Sequence, residues 1–171
     1  MGGMSSFPDL VREILEEHKV IVALLTPLER AAATLGADAE APRLLEHVLR
    51  FLEYFAEEYH HNREEGEFFG ALRANGLLQI ADMLQQDHRN GMKQIQALQR
   101  ELPAASRGDP EAIAFLRAEG SHYVALTREH MRQENDILQV LVADEAKKKP
   151  AVSLMAEAPQ RFDRSAGGRD R

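Results

Sequence analysis

The chain has 171 residues, 44% of them apolar, no cysteine, and a formal net charge of −7 with its seven histidines counted as neutral. That length suffices for one compact domain with a core. The lack of cysteine excludes disulfides, thiolate metal sites and a cysteine nucleophile, and the acidic balance argues against nucleic acid, whose phosphates need clustered Lys and Arg.

Four segments carry helical periodicity. The first runs from about Asp9 to Thr34, with a stripe of Val11, Ile14/Leu15, His18, Ile21/Val22, Leu25 and Leu28. Ser5, Ser6 and Pro8 mark its start and Gly36 its stop, and Pro27 inside it predicts a kink or short break. The second runs from about Pro42 to Ala74 on Leu45, Leu49, Leu52, Phe55 and Ala56, and stops at Asn75-Gly76. The third covers Leu77 to Leu102, with Leu77, Ile80/Ala81, Leu84, His88, Met92, Ile95 and Leu98 in register and Pro103 as its expected end. The fourth opens at Asp109-Pro110-Glu111, an N-cap followed by proline at the first helical position. Its stripe reads Ile113, Leu116, Tyr123/Val124, Thr127, His130, Glu134, Ile137/Leu138 and Leu141. Short loops between long amphipathic helices make an all-α, up-down-up-down antiparallel four-helix bundle over residues 1–145. Residues 146–171, with Lys147-Lys148-Lys149-Pro150, lose the periodicity and are expected to form a loosely docked tail. No run of about 18 apolar residues occurs, and no basic-then-apolar leader opens the chain. The expectation is a cytoplasmic protein with no membrane contact.

The informative feature is where polar residues fall. His18, His88 and His130 each interrupt the apolar stripe of a different helix, and His60 continues the stripe of the second. Glu64 follows His60 and Glu134 follows His130 at i+4, so each pair shares one helix face. At ~1.5 Å per residue the four histidines also reach similar heights in alternating helices. Imidazoles and carboxylates are costly in an apolar core unless paired or metal-bound, and this donor set suits iron, manganese or zinc. The competing ferritin-like plan needs a second Glu-x-x-His beside Glu57-x-x-His60, but Gln85 and Thr127 occupy those positions before His88 and His130.

The series His18, His60-His61-Asn62-Arg63-Glu64-Glu65, His88, His130-Met131-Arg132-Gln133-Glu134 resembles the signature of the hemerythrin-like, HHE cation-binding family over about residues 9–145. The resemblance implies two iron ions with an oxo or hydroxo bridge. Glu64 and Glu134 would be bridging carboxylates, with His18 and His60 on one iron and His88 and His130 on the other. Family members often carry a further ligand after the first histidine of helix 2. Here that residue is His61, which would leave one open position on the iron pair. The register His61 with Glu65, also at i+4, is the alternative. Glu57, Glu65 and Tyr123 are candidates to support or line the site from outside it, whereas His47 lies some four turns from His60 and His122 falls off the face of His130. No catalytic residue is assigned. The implied function is binding of a small ligand, O₂ or NO, for binding, sensing or detoxification. The alternatives are an enzyme acting on peroxide, NO or an O₂-dependent oxidation, and an iron sensor or store.

Overall fold

The structure, a computed structural model, describes residues 7–147. Helix α1 spans Phe7–Thr34, α2 covers residues 41–74, α3 spans Leu78–Ser106 and α4 spans Pro110–Lys147. Helix α1 packs on α2 and α4, and α3 packs on the same two, so neighbours in sequence are neighbours around the bundle. This is the expected all-α four-helix architecture, with no strand among the described residues. None of its helices is long and apolar enough to cross a membrane. The expected tail lies, beyond Lys147, outside the described residues.

The turn chemistry falls where the sequence puts it. At the end of α2 the Leu77 N–H reaches back to the Leu72 carbonyl and the Gly76 N–H to that of Arg73. Gly76 takes φ 77° to allow this, a backbone region that glycine enters without steric cost. Asp109 Oδ1 accepts from the N–H groups of Glu111 and Ala112, both at 3.0 Å, which caps α4.

The short break expected at Pro27 and the helix end expected at Pro103 do not occur. Helix α1 runs unbroken through Pro27. The carbonyl that loses its partner belongs to Ala23, an exposed residue, so water can satisfy it. Helix α3 passes Pro103 to Ser106, because Leu102 and Ala105 on either side are buried and Pro103 itself faces out. Within the α1 stripe, Ile21 is buried but Val22 is exposed.

The core has two parts. One contains Ile21, Leu25, Leu28, Leu49, Leu52, Ala56, Ile95, Leu116 and Tyr123. The other contains Leu10, Val11, Ile14, Phe68, Phe69, Leu84, Leu138 and Leu141. His18, His60, Glu64, His88, His130 and Glu134 fall between these groups along their helices. Close approach of α1 and α4 helps fix this level: a Cβ on buried Gly120 would stand 3.0 Å from the Ala32 Cβ. Gly120→Leu is therefore expected to lower the unfolding free energy by about 1–3 kcal/mol despite leucine's better helix propensity. Urea denaturation measures this, and an unchanged midpoint would contradict the close approach.

Candidate metal centre

All seven residues singled out from the sequence are buried and converge. They form two groups, His18, His60, Glu64 and Glu134 in one, and His61, His88 and His130 in the other. Within each group the potential ligand atoms lie within 4.8 Å of one another. The carboxylates sit between the groups. Glu64 Oε1 is 3.1 Å from His18 Nε2, while its Oε2 is 3.3 Å from His60 Nε2 and 3.4 Å from His88 Nε2. Glu134 Oε2 lies 3.5 Å from His18 Nε2 and 3.4 Å from His130 Nε2, and its Oε1 is 3.6 Å from His88 Nε2. His61 stacks on His88 with ring centroids 3.7 Å apart.

Glu57, His60, His61 and Glu64 follow the i, i+3, i+4, i+7 spacing that lines one face of a helix. At about 100° per residue His60 and His61 flank the centre of that face even in a regular helix. In α2 the backbone winds wider over Glu53–His60 and again over Glu64–Phe68. The His61 N–H bonds the Ala56 carbonyl and the Phe69 N–H bonds that of Glu64, both five residues back. Glu57, His60, His61 and Glu64 are all buried. Such π-type turns are rare and concentrate at functional sites; the sequence reading treated α2 as regular and missed them.

Behind the histidines is a ring of acceptors. His60 Nδ1 donates to Glu17 Oε2 (2.8 Å), His88 Nδ1 to Glu65 Oε1 (3.0 Å) and His18 Nδ1 to Asn135 Oδ1 (2.7 Å). Asp87 Oδ2 stands 3.7 Å from His130 Nδ1. Each helix thus supplies a group that faces the histidine of the next: α1 to α2, α2 to α3, α3 to α4, and α4 back to α1. Proton-bearing Nδ1 atoms leave the Nε2 lone pairs of His18, His60 and His88 aimed at the two glutamates, the tautomer a metal requires. Within α2, Glu57 Oε2 lies 3.1 Å from His61 Nδ1, and the Tyr123 hydroxyl donates to Glu57 Oε1 at 3.4 Å. Gly91 makes room for Glu57, because a Cβ there would be 3.0 Å from Glu57 Oε1.

Of the expected outer residues, Glu65 thus serves His88 rather than pairing with His61, and Glu57 faces His61. Glu17, Asp87 and Asn135 were missed. The available signal was their position, each adjacent in sequence to an inward histidine or glutamate of its own helix. His47 is exposed and donates to the Arg43 carbonyl, and His122 is exposed near Glu119.

Without a cation this cluster is poorly satisfied. His60 Nε2, His88 Nε2, both ring nitrogens of His130, Glu64 Oε2 and both Glu134 oxygens are buried with no hydrogen-bond partner. An unpaired buried polar atom costs on the order of 1–3 kcal/mol, so donors of this chemistry, aimed at common points, fit metal ions. Burial pushes the Glu134 carboxyl up to about 8 and Glu57 likewise to about 8. It pulls His60 down to about 4 and His61 to about 3.

Comparison with known families agrees with this geometry. Residues 9–142 match the Hemerythrin HHE cation binding domain, and the chain belongs to that family. Comparison with curated proteins gives no match.

The shifts define how the metal-free protein responds to pH. A carboxyl titrating near 8 in the fold, against 4.5 ordinarily, holds its proton where the unfolded chain has lost it. Its contribution is complete below 4.5 and is lost as pH rises toward 8. Imidazoles lowered from 6.5 to between 3 and 4 lose stability as pH falls from 6.5, because only the unfolded chain takes up the proton. The metal-free melting temperature is expected to fall from pH 6.5 to 8 and again below 4.5, with the two effects opposed between. Metal binding needs deprotonated ligands, so the loaded protein should have its optimum at higher pH. Calorimetry of both forms across pH measures this; a metal-free melting temperature that rises from pH 6.5 to 8 would contradict the assignment.

Proposed function

We propose that the protein binds a small ligand, O₂ or NO, at a carboxylate-bridged pair of iron ions. The observation that carries this reading is the position of Glu64 and Glu134, each within 3.6 Å of histidines from both groups. Such placement suits carboxylates shared between two metals rather than held by one. His18 and His60 would hold one iron, and His61, His88 and His130 the other. Iron accepts both imidazole nitrogen and carboxylate oxygen, and it supplies the redox change that reversible binding of O₂ or NO requires. With an oxo or hydroxo bridge, five histidines and two bridging carboxylates leave a single open position on a six-coordinate pair.

A cavity reaches the His61–His130 side of the site. It measures about 390 Å³ and leads from exposed Asn90, Lys93 and His122 to buried Glu57, His61, Tyr123 and His130. Ile21 and Ala56, each about one turn from His18 and His60, line its inner end. The role of this chain's residues is to keep the imidazoles in one tautomer and to enclose the iron pair between apolar layers. The same cavity also favours a second reading, an enzyme acting on peroxide. It is far larger than one water molecule, whose share of liquid is ~30 Å³, and the Tyr123 hydroxyl with Glu57 places a proton-bearing group beside His61.

Anaerobic reconstitution with ferrous iron tests the leading reading. About two irons per chain are expected, with one NO taken up per pair and near-ultraviolet charge-transfer bands appearing on exposure to air. Only trace iron would sink it. Hydrogen peroxide turnover separates the readings. A binding protein should turn over slowly, and His61→Ala should open a second position, weaken one iron and raise turnover. Rapid wild-type turnover that falls with Tyr123→Phe would instead identify the enzyme.

A further inference from the structure

The ring of acceptors behind the histidines is not uniform in charge. Glu57, Glu65 and Asp87 stand behind His61, His88 and His130. These are three acidic side chains, and among the described residues no Lys or Arg pairs with any of them. Behind His18 stands Asn135, a neutral amide. Behind His60 stands Glu17, whose other oxygen accepts from Arg63 Nη1. Arg63 is itself anchored by Glu13 at 2.7 Å and lies over the Tyr59 ring at 5.8 Å. One half of the site therefore has Glu65 and Asp87 behind it with no cation to offset them, together with Glu57, which burial pushes toward its protonated form. The other has one carboxylate, and a guanidinium offsets it.

A carboxylate accepting from the Nδ1–H of a ligating imidazole makes the opposite nitrogen a stronger donor to metal. Charge-assisted hydrogen bonds are roughly twice as strong as neutral ones, so an amide in that place does much less. His18 is the one member of the ring with only an amide behind it, although an aspartate differs from asparagine by a single atom pair and would occupy the same volume.

We propose that Asn135, together with Arg63, is a positioning residue that makes the two metal positions unequal, keeping the His18–His60 position the weaker and more easily emptied of the two. This rests on the two-metal reading above. The asymmetry comes from charge held outside the ligand sphere, and the difference in histidine number, two against three, acts in the same direction. Asn135 reaches a groove beside Arg12, Glu16 and Lys19, so a substitution there meets half-exposed surroundings and does not disturb the apolar layers on either side.

Stepwise titration of the metal-free full-length protein with cobalt(II), followed by its visible absorption, reads the two affinities directly and does not depend on iron. Wild type is expected to fill in two resolved steps. Asn135→Asp should tighten the weaker step about tenfold, the lower end of the range for changes behind a ligating histidine, and leave the stronger step in place. Asp87→Asn should weaken the stronger step and leave the other. Arg63→Gln, on the exposed side of α2, removes the cation that offsets Glu17 and should tighten the weaker step in the same sense as Asn135→Asp. It serves as the second variant if Asn135→Asp does not fold. If Asn135→Asp and Arg63→Gln leave both affinities unchanged, or act on the step that Asp87→Asn weakens, the proposal is overturned. A wild type that binds a single cobalt would instead refute the two-metal reading itself, and so removes the proposal's premise by a distinct result.

Discussion

Everything in this fold is arranged around two carboxylates that have no business in an apolar core. Glu64 and Glu134 are fully buried, and no lysine or arginine reaches either of them among the described residues. Their neighbours are imidazole nitrogens, several of them also without partners. Burying such groups costs several kcal/mol unless something compensates them. The apolar layers above and below fix the helices at a level that forces these side chains together. Folding therefore builds a site whose cost a bound cation offsets, and family membership, donor chemistry and geometry all point to that one arrangement.

The departures from regular helix fall beside the same residues. Helix α2 contributes His60, His61, Glu64 and Glu57 to one side and winds wider over the same stretch in two places. Glu65, in the second wide turn, accepts from His88 Nδ1. Gly91 on α3 completes this by leaving space for Glu57.

How far the sequence disclosed this follows from what each feature needs. The bundle was legible because hydrophobic period and turn residues are local. The convergence of His18, His60, Glu64, His88, His130 and Glu134 was legible because a polar residue on an apolar stripe is itself a local anomaly. Pro27 and Pro103 misled, since a proline breaks a helix only where the lost hydrogen bond cannot be met by water or overridden by packing on either side. The π-type turns were illegible: nothing in Glu53-Tyr54-Phe55-Ala56 announces an extra residue per turn, and the choice between the His61–Glu65 and His60–Glu64 registers could not be made from spacing. Glu17, Asp87 and Asn135 were hidden for a different reason. Each looks like an ordinary half-exposed helix residue, and its role depends on which histidine the neighbouring helix brings opposite.

The central claim is that two metal ions share Glu64 and Glu134. X-ray absorption at the iron edge, on frozen reconstituted protein, tests it most directly. The account predicts iron–iron scattering at a separation of roughly 3–4 Å, as in carboxylate-bridged two-metal sites, with a first shell of mixed imidazole nitrogen and carboxylate oxygen. Iron bound without any metal–metal scattering would contradict it.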